Sequence, residues 1–155
     1  MNSENEPVAA FEMLIRKPSG EVFEALANPE ITSKFWFTKG SARLEAGKTV
    51  TWEWDQFGIE AEIIVNEVKP GRLIRFHWPA GEKDSDYRSV KISFEPKSDD
   101  TTFVRVVEEG FDKNDKQLVE QVAGQTGGWA LVLSAMKAWL EHGIDLNVVS
   151  DHHPE

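Results

Sequence analysis

The chain has 155 residues and no cysteine, and its 17 basic and 27 acidic side chains give a formal net charge of −10. This length fits one domain with a substantial core. The negative charge disfavours binding to nucleic-acid phosphates or insertion at an anionic membrane surface. The lack of cysteine excludes disulfides, thiolate zinc sites and cysteine nucleophiles. The sequence contains neither a signal peptide nor an apolar run near the roughly 18 residues of a membrane span, so we expect a cytoplasmic protein.

The first elements are a strand and two short helices. Residues 8–17 alternate between apolar and polar side chains, which is typical of a strand with one buried face. A Pro-Ser pair at 18–19 begins a short helix, and an Asn-Pro pair at 28–29 ends it because the residue before proline avoids the helical region. A second short helix, predicted over about residues 30–35, leads into an aromatic triplet at residues 35–37.

The middle of the chain has a period of two and predicts about five further antiparallel strands. Turn residues separate these strands at 55–58, 70–71, 81–86 and 97–100. The side chains predicted to share the inner face are Val50, Trp52 and Trp54; Ile59, Ala61, Ile63 and Val65; Ile74, Phe76 and Trp78; Val90, Ile92 and Phe94; and Val104, Val106 and Glu108.

A long helix is predicted over about residues 117–142, with a length of roughly 39 Å at 1.5 Å per residue. Its apolar stripe should pack on the sheet and consists of Val122, Thr126, Trp129, Leu133, Met136 and Leu140. Glycines cost about 1 kcal/mol inside a helix. The three glycines at 124, 127 and 128 therefore indicate either a close approach of a backbone or ligand, or a helix that begins later, near Thr126.

Together these elements predict an α+β fold in one domain, residues 1–155 with a core at about 8–145, between a flexible acidic N-terminus and a C-terminal tail. A curved antiparallel sheet of about six strands would wrap around the long C-terminal helix. Several segments carry a family resemblance: residues 11–30 as an opening strand and helix, Phe35-Trp36-Phe37, residues 102–111, and Gly128-Trp129 followed by Leu133, Met136 and Leu140.

In the order of these segments the chain resembles the helix-grip (START/Bet-v-like, SRPBCC) superfamily, which includes lipid-transfer domains, birch-pollen-type allergens and polyketide aromatase/cyclases. Within the superfamily it is most similar to homologues of the activator of the heat-shock-protein ATPase. The resemblance implies a cavity between the sheet and the long helix. It does not imply one function, because members of the superfamily bind, transport, cyclise or regulate.

Other motifs fail on the residues themselves. Residues 42–49 fit a loose phosphate-binding loop, but a strand rather than a helix follows, so we interpret them as a hairpin turn. A calcium-loop pattern beginning at Asp112 lacks its glycine and its final glutamate. The four histidines, His77, His142, His152 and His153, show no metal-ligand spacing. We therefore expect no metal, no cofactor and no assigned catalytic residue.

The aromatic side chains on the inner face are the main functional signal. They indicate either a filled core or the wall of a ligand cavity of roughly 300–1,000 Å³. Glu108 is the one charged residue predicted on that face, unless the strand frays and it reaches solvent. The predicted pocket residues are Trp52, Trp54, Ile63, Phe76, Trp78, Ile92, Val104, Val106, Glu108, Trp129, Leu133 and Met136.

The leading functional hypothesis is a non-enzymatic protein that encloses a small apolar or aromatic ligand, including a lipid, and exists as a monomer or dimer. One alternative, from the family resemblance, is a chaperone-regulating module. A second is a cyclase or hydrolase that uses Glu108 as its general acid or base. A closed apolar cavity would favour the binding protein, a large exposed surface patch the module, and a strongly perturbed Glu108 with a polar neighbour the enzyme.

Overall fold

The computed structural model describes residues 6–80 and 86–154. Residues 1–5 of the acidic leader and most of the predicted 81–86 loop lie outside these ranges. The strands are β1 (Val8–Ile15), β2 (Lys39–Gly40), β3 (Thr49–Trp54), β4 (Ile59–Lys69), β5 (Leu73–Pro79), β6 (Tyr87–Ser98) and β7 (Thr101–Glu109). The helices are α1 (Ser19–Ala27), α2 (Pro29–Thr32), α3 (Leu118–His142) and α4 (Val148–His152), with a 3-10 turn at Asp55–Phe57.

The seven strands form one antiparallel sheet in the order β1-β7-β6-β5-β4-β3-β2. The predicted α+β helix-grip architecture is confirmed, with one strand more than expected. That strand is β2, where Lys39 pairs with Glu53 and Gly40 pairs with Trp52. Two residues are too few to show a period of two, so sequence pattern could not detect it.

The segment 42–49 turns directly into β3. Gly47 has a φ of 84°, a left-handed conformation that glycine adopts without strain, and β3 begins two residues later. No helix follows this turn, so its geometry is that of a hairpin and not of a phosphate-binding loop.

Helix α3 begins at Leu118, so the alternative start near Thr126 is wrong. The three glycines therefore lie within the helix. A Cβ atom placed on Gly124, Gly127 or Gly128 would meet no protein atom within 4 Å, so no backbone approaches them closely. Of the predicted stripe, Trp129, Leu133 and Met136 are buried, and the other members, Val122, Thr126 and Leu140, are half-buried.

Polar contacts fasten the end of α3 to the edge strand β1. Lys137 Nζ donates a hydrogen bond to the carbonyl oxygen of Leu14 at 2.8 Å and pairs with Glu141 Oε2 at 2.7 Å. The backbone N–H of Arg16 donates to the same Glu141 oxygen at 2.8 Å. The helix is therefore fixed relative to β1 by a carboxylate that is only 9% exposed.

Beyond α3 the chain reverses and forms α4, a helix where the sequence predicted only a C-terminal tail. Gly143 ends α3 at a φ of 66° and Asn147 precedes α4 at a φ of 55°. No α4 residue is buried, so this helix rests on the surface of the fold. Within the described residues, no helix is long and apolar enough to cross a membrane.

An apolar pocket beside a buried carboxylate

A pocket of about 480 Å³ lies between α3, α4 and the adjoining ends of β3, β4 and β5. We call it the α3–α4 pocket. It is partly open to solvent, and most of its wall is aromatic or aliphatic. Its lining residues are Trp36, Trp54, Phe57, Ile59, Trp78, Gln125, Gly128, Trp129, Leu131, Val132, Val148, Val149, His152 and His153.

Trp36 connects the aromatic side chains around this pocket. Its ring centroid lies 5.4 Å from that of Trp129, 6.0 Å from Trp54 and 6.3 Å from Trp78, each in an edge-to-face arrangement. Trp78 and Trp129 stack with centroids 5.4 Å apart. Such pairs add roughly 0.5–1.5 kcal/mol each beyond the area they bury, so the wall is well ordered.

Glu108 lies directly behind the wall and is fully buried, with 0% of its surface exposed. Strand register explains its position, because β7 pairs Glu108 with Val90 on β6 and Ala9 on β1, both of which are buried. The alternative of a frayed strand end is therefore wrong. Glu108 sits in the interior, where a carboxylate requires partners.

Three side chains donate hydrogen bonds to this carboxylate. Trp78 Nε1 donates to Oε2 at 3.0 Å, and Trp129 Nε1 donates to Oε1 at 2.8 Å. Gln125 Nε2 donates to Oε1 at 2.9 Å and lies 3.2 Å from Oε2. All three donors also line the α3–α4 pocket, so one buried acidic group orients three side chains of its wall, on β5 and α3.

Arg88 supplies the compensating positive charge. Its Nε atom lies 3.1 Å from Glu108 Oε2 but its N–H does not point along a hydrogen bond, so the contact is an ion pair only. Arg88 Nη2 donates to the carbonyl oxygen of Ala80 at 3.0 Å, and the guanidinium carbon lies 4.3 Å above the ring of Phe111. A buried carboxylate with a charge partner and several donors is electrostatically satisfied.

This arrangement gives Glu108 a positioning role. Both of its oxygens accept hydrogen bonds, and Glu108 is not among the residues that line the pocket. A general acid or base must reach the atom whose proton it exchanges. The geometry therefore gives no support to the hypothesis of a cyclase or hydrolase acting through Glu108.

The residues predicted from sequence to line a cavity separate into two groups. Trp54, Trp78 and Trp129 lie on the wall of the α3–α4 pocket. The remaining members are buried in the core, namely Trp52, Ile63, Phe76, Ile92, Val104, Val106, Glu108, Leu133 and Met136. Rings such as Trp52 and Phe76, 5.4 Å apart, fill the central space between sheet and helix. The α3–α4 pocket of about 480 Å³ is open and lies at one end of this core, so it is not the enclosed cavity predicted between the sheet and the helix.

Sequence reasoning missed several lining residues. Gln125 had a detectable signal, because it precedes Trp129 by four residues and therefore shares its helix face. Trp36 lay in the recognised aromatic triplet but was not assigned to the pocket. The α4 residues had no signal, since a five-residue helix without a buried side chain leaves no periodic pattern.

Two histidines lie at the mouth of the pocket. The rings of His152 and His153 have centroids 4.6 Å apart, and His153 approaches Phe57 at 5.6 Å. Across the described parts of the chain, no three potential metal ligands come together.

An antiparallel sheet that packs around a long C-terminal helix, with an apolar pocket at one end of the contact, defines a helix-grip protein. The model of the family described as "Activator of Hsp90 ATPase homolog 1-like protein" matches residues 16–141, which span most of the sequence. The chain belongs to this family.

Solved structures share this fold. Protein SSP2350 from Staphylococcus saprophyticus is 34% identical, with a TM-score of 0.76, and the match covers 90% of this chain and 95% of that one. The Aha1 dimer from Colwellia psychrerythraea is 19% identical, with a TM-score of 0.74 over 88% of this chain and 97% of that one. PFC0360w from Plasmodium falciparum, an HSP90 activator, is 15% identical, with a TM-score of 0.66 over 86% and 96%. The last two show a shared fold only. No curated protein matches this sequence.

Proposed function

We propose that this protein binds a small apolar or aromatic molecule in the α3–α4 pocket. The observation that carries the proposal is the composition of the pocket, whose volume of about 480 Å³ is walled by tryptophan, phenylalanine and aliphatic side chains. Ligand pockets of this size and apolar character, with few polar groups, are the usual form of a small-molecule site. Burial of apolar ligand surface would supply roughly 25 cal/mol per Å² before the costs of association.

The order of the pocket wall supports the same proposal. Trp78 and Trp129 are held by their N–H groups to Glu108, so their rings need not reorganise when a ligand arrives. A wall fixed before binding lowers the entropic cost of association.

Two adjacent glycines of α3 provide a matched test. Gly128 lines the pocket and Gly127 does not, and a Cβ at either position meets no atom within 4 Å. Gly128→Leu should place a side chain into the pocket and abolish binding of an aromatic probe such as 2-naphthol, measured by calorimetry. Gly127→Leu should leave the affinity within about twofold of wild type.

Native mass spectrometry of freshly purified protein complements this test, because a retained ligand appears as a mass increment. That increment should be lost in Gly128→Leu and kept in Gly127→Leu. Binding of 2-naphthol that is equal in both variants would show that the probe occupies another site and would refute the proposal.

Family membership favours a second candidate, the regulation of an Hsp90-type chaperone ATPase in the cytoplasm. The match to the activator-like family over residues 16–141 is the observation behind it. A direct test measures the ATPase rate of purified Hsp90 with and without this protein. A saturable increase in the rate would support this candidate, and an unchanged rate at high protein concentration would exclude direct activation.

A further inference from the structure

Gln125 connects the buried carboxylate to the α3–α4 pocket. Its amide nitrogen lies 2.9 Å and 3.2 Å from the two oxygens of Glu108. An ionised carboxylate can only accept hydrogen bonds, so the side that faces Glu108 must be the NH₂ group. The hydrogen-bond network thus fixes the orientation of this amide.

The other end of the amide is free. Among the described residues, Gln125 Oε1 accepts no hydrogen bond from the protein, and it is also not one of the buried unpaired side-chain atoms. An unpaired atom that is not buried must be accessible, and Gln125 lines the pocket. Its carbonyl oxygen is therefore available as an acceptor for a molecule in the pocket.

The rest of the pocket wall is mostly apolar, so Gln125 Oε1 has a large share in the polar recognition of a ligand. Trp78 and Trp129 donate their N–H groups to Glu108, so they present only ring surface to the pocket. Within the part of the chain that the structure describes, no lysine, arginine, aspartate or glutamate lines the pocket. The other polar side-chain groups among the described lining residues are the indole N–H groups of Trp36 and Trp54, which can only donate, and the rings of His152 and His153 at the mouth.

We propose that Gln125 is the specificity-determining residue of the pocket and selects an uncharged aromatic ligand that carries a hydroxyl or N–H donor. This inference rests on the proposed binding function. The ligand ring lies against Trp36, Trp78 and Trp129, and its donor meets Gln125 Oε1. A ligand without a donor would leave this oxygen without a partner once water is displaced, which a polar group disfavours.

Three probes that share one ring system test the proposal by calorimetry on the wild-type protein. 2-Naphthol has a donor, 2-methoxynaphthalene lacks it, and 2-naphthoate carries a negative charge. A hydrogen bond contributes a net 0.5–1.5 kcal/mol, so 2-naphthol should bind about 3- to 10-fold more tightly than the methyl ether. 2-Naphthoate should bind most weakly.

Gln125→Lys isolates the acceptor, because an ammonium group still donates to Glu108 but cannot accept a hydrogen bond. In this variant the ratio of the two affinities should fall to about one. Gln121→Lys is the matched control, since Gln121 lies one turn earlier and donates to Asp115 Oδ2 at 3.1 Å, away from the pocket wall. If Gln125→Lys does not fold, Gln125→Met removes the acceptor without a change in charge.

The outcomes separate the two proposals. Equal affinities for 2-naphthol and its ether in wild type, with both lost in Gly128→Leu, overturn the role of Gln125 and leave the binding function standing. Tightest binding of 2-naphthoate overturns the role in favour of an anion site at the histidines. If none of the probes binds, the binding function fails and the role of Gln125 fails with it.

Discussion

Trp78 on β5 and Trp129 on α3 donate their indole N–H groups to different oxygens of the same carboxylate, and their rings stack with planes inclined by 26°. The sheet and the long helix are therefore joined by both a polar and an aromatic contact at one point. This junction forms the inner wall of the α3–α4 pocket. A substitution at Trp78 or Trp129 should therefore change both the stability of the protein and the binding properties of the pocket.

Trp129→Ala should lower the free energy of unfolding by roughly 3–5 kcal/mol, the range for truncation of a buried large aromatic side chain. Trp129 is only 2% exposed, and its loss also leaves Glu108 with one donor fewer. Trp129→Phe keeps the stacked ring and should cost less than the alanine variant. Denaturant melts measure both, and a loss below about 1 kcal/mol for alanine would contradict the central position of this residue.

Glu108→Gln should destabilise the protein by roughly 3–5 kcal/mol, because it leaves the Arg88 guanidinium without its buried partner. Arg88→Met should also destabilise the protein, since it leaves the buried Glu108 carboxylate without a positively charged partner. The double variant should lose less than the sum of the two single losses, because each single change already breaks the ion pair. Additive losses in the double-mutant cycle would mean that the two charges do not interact.

Glu141→Gln should show a pH-dependent loss of stability. Burial by itself raises the pKa of the Glu141 carboxyl, but the Lys137 ammonium and the backbone N–H of Arg16 outweigh it and hold the pKa below its ordinary value of 4.5. Since the folded-state pKa is lowered, the stabilisation is present above about pH 4.5 and is lost as the pH falls through the folded-state pKa.

At pH 7 the Glu141→Gln variant should therefore be less stable by roughly 1–2 kcal/mol, and the gap to wild type should shrink in acid. Glu120→Gln changes the same charge at an exposed position of α3 and should cost under about 0.5 kcal/mol at pH 7. A gap for Glu141→Gln that stays constant between pH 7 and pH 3 would show that the carboxylate charge is not responsible.

Gly124→Ala and Gly127→Ala should each raise the free energy of unfolding by about 0.5–1 kcal/mol. Both glycines lie inside α3 with no atom within 4 Å of an added Cβ, so alanine gains helix propensity without a clash. Gly47→Ala is the opposing case, because its φ of 84° is strained for any side chain, and it should destabilise. Thermal melts of the three variants measure these effects. If Gly124→Ala and Gly127→Ala also lowered the stability, the assignment of α3 at these positions would be wrong.

Removal of residues 144–155 should weaken the binding of 2-naphthol by roughly tenfold while leaving the fold intact. This segment contributes Val148, Val149 and the two terminal histidines to the pocket, but no α4 residue is buried. Loss of about 1.4 kcal/mol of apolar contact corresponds to that factor. A truncated chain that binds the probe as well as wild type would exclude α4 from the site.

Much of the fold could be predicted from sequence because alternation is a local property. The strands after residue 49, the placement of Glu108 on the inner face of an intact strand and the C-terminal part of α3 follow from the period of the apolar side chains. The pattern left open whether the strand frays at Glu108 and whether α3 begins near residue 117 or near Thr126. Strand β2 could not be predicted, since two residues have no period. Helix α4 could not be predicted either, because a short helix on the surface depends on tertiary contacts rather than on its own sequence pattern.

The position of the pocket was harder to predict than the elements around it. Sequence pattern places Trp52, Phe76 and Trp78 on one face but does not say how far each ring reaches into the space beneath α3. The first two fill that space, while Trp78 lies beside the opening. The difference depends on side-chain volumes summed over the sheet and helix, which no single segment of the chain contains.

Five of the six tryptophans in the chain belong to one network of neighbouring rings, joined through Trp36. Indoles at these separations exchange excitation energy and couple their electronic transitions. The near-ultraviolet circular dichroism and the intrinsic fluorescence of this protein should thus be dominated by the site itself. A molecule that binds among these rings should therefore change the intrinsic fluorescence and the near-ultraviolet circular dichroism of the protein, so binding can be followed without a label.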